Sequence, residues 1–244
     1  MSELYILFWY FVIMQKIVVL SGAGMSAESG ISTFRDSNGL WENHRVEDVA
    51  TPEAWVNNRD LVLSFYNQRR KQLFEVQPNN GHRVLVKLEE LFNVEIITQN
   101  VDDLHERAGS TNVLHLHGEL KKVRSTSDSS LVYDMEDWEL KIGDVCEKSS
   151  QLRPHIVWFG EEVPNILTAE EIVSKADCLI IVGTSLNVYP AAGLIYKVRQ
   201  NVPIYLVDPS EVDTGIVEGV KIIQSTASEG LTKLVNDLLK NNKI

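Results

Sequence analysis

At 244 residues, 44% of them hydrophobic and 23% charged, the chain is long enough for one large domain with a real apolar core, or for a domain with a smaller lobe. Its formal charge of −11 argues against a nucleic-acid partner, because a phosphate backbone calls for a basic face, and is compatible with a basic, lysine-bearing one. Two cysteines, Cys146 and Cys178, give no disulfide framework, and the expected compartment is the reducing cytoplasm.

The chain begins with an unbroken apolar run, LYILFWYFVIM at 4–14. It is too short to span a bilayer, which takes roughly 20 residues, and it lacks the basic flank and cleavage site of a signal peptide, so no membrane partner is expected. Met14 is read as the natural start, with residues 1–13 an added apolar extension; the other reading is a genuine extension that packs on the surface or on a partner. Short Ile/Val-rich runs follow at 16–20, 94–98, 112–117, 178–184 and 203–208. Most are continuous rather than alternating, as in strands buried on both faces of a parallel sheet. Helical stretches at 59–76, 80–92, 167–176, 190–200 and 227–241 lie between them. The alternation predicts an α/β fold, a doubly wound Rossmann-like parallel sheet. The polar tract from 121 to 150 breaks the pattern and reads as an inserted lobe.

After the first strand, SGAGMSAESGISTFRD at 21–36 places Gly22, Gly24 and Ala27 in a G-x-G-x-x-A pattern. The small residues permit a tight turn, close approach of backbone to a pyrophosphate, and helix–strand packing. No second strand ending in an acid follows within about 20 residues, which counts against a hydride-transfer enzyme. Further on, TQNVDDLHERAG at 98–109 ends a buried strand in Gln99, Asn100 and Asp102. Such groups can read ribose hydroxyls and a carboxamide at the carboxyl edge of a sheet; one of them can equally cap the following helix. In LHLHGEL at 114–120, His115 and His117 alternate on one face before a glycine.

These segments, with PHIVWFGE at 154–161 and GTSLNVYPAAG at 183–193, stand in the order found in the sirtuins, and the chain resembles that family of NAD-dependent protein lysine deacylases from residue 16 to about 230. The resemblance is nearest to the bacterial branch that acts on succinyl and malonyl lysine. It implies a single catalytic domain over 14–244, with a Rossmann part at 14–34, 81–120 and 155–244 and a small lobe formed by two insertions, 35–80 and 121–154. It implies NAD as cofactor and acylated lysine-bearing proteins as partners. In the implied reaction the acyl-lysine oxygen attacks C1′ of the nicotinamide ribose. His117 then helps deprotonate a ribose hydroxyl that attacks the acyl carbon, giving free lysine, nicotinamide and O-acyl-ADP-ribose. A near-neutral imidazole suits that task. His115 is assigned packing or hydrogen bonding; a His-x-His metal site is the other reading, disfavoured because no third ligand follows close by.

By position, the resemblance makes His117, Asn100 and Asp102 catalytic. It gives the cofactor Gly22, Ala23, Gly24, Ser26, Gly30, Ile31, Phe34, Arg35, Gln99, Asn100, Asp102, Gly183, Thr184, Ser185, Asp208 and Ala227. Val157, Phe159, Gly160 and Glu161 are expected to pair with the substrate peptide as an added strand, although 156–159 also reads simply as a buried strand. Tyr66 and Arg69, three residues apart on one helical face, match a Tyr-x-x-Arg pair that binds an acyl carboxylate, and Ala50 matches the small residue that keeps the pocket roomy. On the residues alone, the pair could be an exposed one on a surface helix.

Two departures stand out. Where most sirtuins carry four zinc cysteines, this chain has Ser125, Thr126 and Ser127 and then only Cys146, so no zinc is expected and packing around Tyr133, Trp138 and Leu140 is expected to hold the lobe. Leu206 and Asp208 replace the usual Asn-x-Glu, and a carboxylate there favours NAD over NADP. Two alternatives remain: an ADP-ribosyltransferase on the same scaffold, and a non-catalytic NAD-binding module.

Overall fold

The computed structural model describes residues 14–32, 40–41, 44–241 and 244; the extension at 1–13 and the expected cofactor contacts Phe34 and Arg35 lie outside the described residues. In chain order the first part comprises β1 (Lys16–Ser21), α1 (Gly24–Ala27), the short strands β2 (Leu40–Trp41) and β3 (His44–Arg45), α2 (Val46–Val49), α3 (Pro52–Asn57), α4 (Arg59–Glu75) and α5 (Asn80–Val86). Then come β4 (Asn93–Thr98), α6 (Leu104–Ala108), β5 (Val113–His115), β6 (Gly118–Ser125), β7 (Val132–Asp134) and β8 (Leu152–Ile156). The chain closes with α7 (Ile166–Ser174), β9 (Cys178–Val182), β10 (Ile204–Val207), β11 (Lys221–Ile223) and α8 (Ala227–Asn241).

Six strands form one parallel sheet in the order β11-β10-β9-β1-β4-β5. The chain starts at the centre, builds outward through β4 and β5, then returns to the other side of β1 at β9. The switch point therefore falls between β1 and β9, where open α/β sheets place their ligands. The period of two along β1 divides its side chains between two cores. Ile17 and Val19 face Leu85, Leu231 and Val235 of α5 and α8, while Val18 and Leu20 face Val173 of α7 and Leu194 and Ile195 of a 3-10 helix. All four are fully buried, each worth roughly 1.5–3 kcal/mol of transfer free energy. The expected helix at 190–200 is this 3-10 turn, Ala191–Lys197.

A second layer joins α2, α3 and α4 to an antiparallel sheet ordered β7-β6-β8. The side chain of Asn58 caps α4 by accepting from Leu61 N at 3.1 Å. The helix then buries polar groups as well as apolar ones. Arg70 is fully buried and donates to Leu120 O, to Asn67 Oδ1 (2.9 Å) and to Trp138 O (2.7 Å). Asn67 in turn bonds both the N–H and the C=O of Leu140. Leu140 is thus buried as expected, with Tyr133 packed alongside, but Trp138 contributes through its carbonyl, and Lys71 lies over its ring.

At the positions of the missing cysteines, Ser125 Oγ accepts from Cys146 Sγ (3.2 Å) and from the N–H groups of Ser127 and Asp128. The Thr126 and Ser150 hydroxyls lie 2.7 Å apart, and Lys148 pairs with Asp128. Hydroxyls and one thiol close this turn by hydrogen bonds. Among the described residues no group of three or more His, Cys, Asp or Glu is placed to hold a metal ion, and no helix is long and apolar enough to cross a membrane.

Candidate active site

The loops that leave β1 and β9 meet backbone to backbone. A Cβ on Gly22 would lie 2.7 Å from Gly183 O and from Thr184 Cβ, and one on Gly24 would lie 2.7 Å from Gly183 Cα. Gly183 itself has φ +64°, and its added Cβ would collide with Met25 N. No side chain fits this junction, so the glycines leave a bare backbone cradle at the switch point, suited to a pyrophosphate. Thr184 accepts from Gln99 Nε2 at 3.1 Å, tying the β9 loop to the end of β4. Ser185 is half-buried beside it, and Gly30 (φ +93°) and Ile31 follow α1, with Ile31 packed against the cluster that holds Tyr66 and Trp158.

Asn100, Asp102 and Ser26 form one buried cluster. Asn100 Nδ2 donates to Ser26 Oγ (3.1 Å), which donates to Asp102 Oδ2 (2.9 Å), while Asp102 Oδ1 accepts from Leu104 N. Asp102 therefore meets the first N–H of α6, whose N-cap is Asp103, as well as the Ser26 hydroxyl. Burial raises its pKa, and its hydrogen bonds act the other way. The cluster rests on a deeper chain in which Ser21 Oγ donates to Thr98 Oγ1 and Asn100 N donates to the same oxygen. With its proton thus directed, Ser21 Oγ accepts from His105 Nε2 at 2.9 Å.

The two alternating histidines take successive carbonyls of the β4 terminus. His115 Nδ1 lies 3.0 Å from Asn100 O and His117 Nδ1 lies 3.0 Å from Gln99 O. A carbonyl only accepts, so Nδ1 carries the proton in neutral His117 and Nε2 is left as the basic lone pair. Burial pushes the His117 pKa down, against the smaller upward pull of that carbonyl. Burial also opposes charge on His115, but Glu106, hydrogen-bonded at 2.8 Å, outweighs it and raises its pKa. The two rings thus stand in different surroundings: the His117 ring meets a backbone carbonyl at Nδ1, and the His115 ring lies between a carbonyl and a carboxylate. Gly118, with φ +83°, follows because a Cβ there would overlap His155 O of β8.

On the other side of His117, the chain after β8 crosses to the small lobe. Val157 N donates to His117 O (2.9 Å), Phe159 N to Ala50 O (3.0 Å), and Trp158 Nε1 to Tyr66 Oη (3.0 Å). Tyr66 is fully buried and Arg69 nearly so, and the Arg69 charge is felt at the phenol. They are therefore not a pair on a surface helix. Ala50 is buried at the edge of the same cluster. The N–H groups of Val157 and Phe159, expected to pair with a peptide, are engaged within the chain. Gly160 (φ +90°) turns the segment back, and Glu161 is bound by Arg153, Arg124 and Trp158 N. Asp208 is buried, with Oδ1 accepting from Ser210 N, and Ala227 begins α8, where Glu28 caps the helix through Ser228 N. Sequence reasoning passed over Trp158, Arg153, Arg70 and Ser21. The one available signal was the arginines themselves, since a buried arginine needs partners.

Comparison with known proteins agrees with this geometry. Residues 22–190 match the model of the Sir2 family. An NAD-dependent protein deacylase of Bacteroides thetaiotaomicron is 55% identical over 226 residues, spanning 91% of this chain and 97% of that protein. One from Helicobacter pylori is 52% identical, spanning 93% of this chain and 99% of its own length. The crystal structure of a Sir2 homologue in complex with NAD superposes with a TM-score of 0.84 at 40% identity, covering 94% of this chain and 91% of that one. With the matched model reaching from the glycine cradle through the histidines to the β9 loop, the chain belongs to the Sir2 family.

Proposed function

We propose that this protein is an NAD-dependent protein lysine deacylase that prefers acyl groups ending in a carboxylate. The observation that carries the reading is the three-residue bridge 157–159. It ties the His117 carbonyl, the Ala50 carbonyl and the Tyr66 hydroxyl into one unit, so a base and an acid-binding pocket share a wall. NAD, when bound, supplies an ADP-ribosyl group that accepts the acyl group as nicotinamide leaves. The glycine cradle fits its pyrophosphate, and Gln99, Asn100, Asp102, Ser26, Thr184 and Ser185 surround the space for its ribose and amide groups. Asp208, already buried against Ser210 N, reaches a ribose only if its carboxylate keeps a lone pair for it.

His117 is neutral at pH 7 and takes a proton at Nε2, while Gln99 O holds its ring through Nδ1. In the pocket, Arg69 offers a guanidinium and Tyr66 a hydroxyl to the acyl carboxylate. A lysine-bearing protein of basic character would meet a chain of net charge −11. The test is kcat/KM for succinyl, malonyl and acetyl peptides on the wild type and on Arg69→Met. Desuccinylation is expected to fall by about 10²-fold or more, because a buried charge that loses its partner costs on the order of 2–3 kcal/mol or more. Deacetylation is expected to change much less. A succinyl-to-acetyl ratio unmoved by the substitution would remove Arg69 from the pocket.

A further inference from the structure

The acyl pocket has a second layer whose hydrogen-bond polarity is fixed. Trp158 is 2% exposed and Tyr66 is fully buried, and the indole Nε1–H donates to Tyr66 Oη at 3.0 Å. An indole N–H can only donate, so this bond cannot run the other way. The Tyr66 oxygen is therefore an acceptor toward Trp158, and its own proton points elsewhere. Without the indole, a phenol is free to be donor or acceptor toward whatever enters the pocket.

Trp158 is held at both ends. Its backbone N–H donates to Glu161 Oε2 at 2.8 Å. Its ring packs against Trp55, at 5.8 Å between centroids, and the Arg153 guanidinium lies 3.3 Å from the ring centroid. Arg153 is fixed in turn by Glu161 (2.7 and 3.1 Å) and by Ile156 O (3.0 Å). A cation stacked on an aromatic face is held electrostatically as well as by packing. The indole thus has little freedom to turn its N–H away from Tyr66.

We propose that Trp158 is a specificity-determining positioning residue: by donating to Tyr66 Oη it sets the Tyr66 hydroxyl as a donor toward the acyl carboxylate. The proposal rests on the reading of Tyr66 and Arg69 as that carboxylate's partners. A carboxylate is acceptor-only, so a hydroxyl locked as donor matches it, while a neutral acetyl group has no second acceptor to reward the lock. Arg153 and Glu161 act one step further out, by fixing the indole.

The experiment measures the succinyl-to-acetyl ratio of kcat/KM in Trp158→Phe, Tyr66→Phe, the double variant and Arg69→Met. Trp158→Phe keeps an aromatic ring for Arg153 and removes only the donor. Its ratio is expected to fall about threefold to tenfold, the scale of one hydrogen bond. In the Tyr66→Phe background the same change should do nothing further, because the hydroxyl it acts through is gone. A ratio unmoved by Trp158→Phe but collapsed by Arg69→Met overturns the proposal and leaves the pocket reading intact. Equal effects of Trp158→Phe in both backgrounds also overturn it, since Trp158 would then act by packing. A ratio unmoved by all the variants overturns the pocket reading itself. Should Trp158→Phe not fold, the wild type with ¹⁵N-labelled indoles decides: among its five tryptophan signals, one should move more with succinyl than with acetyl peptide, and the same one should move in Tyr66→Phe. No such shared signal would contradict the proposal.

Discussion

The two sides of His117 are held by different physics. On the sheet side, strands with fully buried Ile, Val and Leu bring two loops so close that only glycine fits, and the groups around the junction are bare backbone and hydrogen-bonded polar side chains, the Asp102 carboxyl among them. On the lobe side, three guanidiniums are buried or nearly so: Arg69 over the Phe65 ring, Arg70 on backbone carbonyls and Arg153 on Glu161. On the proposed function, the difference follows the ligand of each side. A pyrophosphate is met by bare backbone and helix N-termini, whereas a small acyl carboxylate needs a fixed cation. Within the lobe, Arg70 and Asn67 fasten α4 to the 138–140 segment, and Ser125 closes the turn on Cys146.

The largest break comes at the seam. His117→Ala is expected to lower kcat/KM by about 10²–10⁴-fold, the usual worth of a general base, while NAD affinity and the melting temperature stay close to the wild type. Steady-state kinetics and calorimetry check this; full residual turnover would remove His117 as base. In the wild type the acid limb of kcat/KM should fall below pH 6.5, since burial lowers the His117 pKa.

Breaking the lobe should cost stability before chemistry. Arg70→Leu leaves the carbonyls of Leu120 and Trp138 without their buried donor, and urea unfolding is expected to show a loss of about 3 kcal/mol. A loss under about 1 kcal/mol would mean that apolar packing alone holds α4 to the lobe.

The sheet side has its own buried titratable pair, His82 and His105, with ring centroids 4.9 Å apart. Burial holds His82 down at about 4, with Arg83 adding to the depression and Glu106 opposing it, and burial beside His82 and His115 lowers His105 as well. A His whose folded pKa lies below its unfolded value binds more protons when unfolded. Its stabilisation is therefore complete above the unfolded value near 6.5 and is lost as pH falls toward the folded one. Unfolding free energy is expected to drop by about 2 kcal/mol between pH 7 and 5 from His82 alone. His82→Gln keeps a residue suited to the capping box of α5 and should flatten that slope. An unchanged slope would place the acid sensitivity elsewhere.

The smallest expected effect is none. With Ser125 and Ser127 at the turn and one thiol hydrogen-bonded to Ser125, elemental analysis should find no stoichiometric zinc, and a chelator should leave the melting temperature unchanged. One zinc per chain would show that the lobe is metal-held after all.

Much of the sheet side was legible in the sequence, and less of the lobe. Continuous Ile/Val runs announced β1, β4, β9 and β10, and the glycine spacing announced the cradle, because both are local patterns. Strand β11 escaped notice: three residues on a sheet edge carry little signal. The region 190–200 read as a helix, but it forms a tight 3-10 turn behind Pro190. The antiparallel sheet was hidden by the charges crowded into β6, Glu119, Lys121, Lys122 and Arg124. Tyr66 and Arg69 showed as a pair because helical spacing is local. Trp158 did not, because its partner lies 92 residues away and only the fold brings the indole to the phenol.

The most direct measurement is mass spectrometry of all products when the wild type meets NAD and a succinyl-lysine peptide. Free-lysine peptide, nicotinamide and O-succinyl-ADP-ribose are expected in equal amounts. ADP-ribose attached to peptide or protein, with the succinyl group still on its lysine, or intact NAD throughout, would contradict deacylation as the activity of this chain.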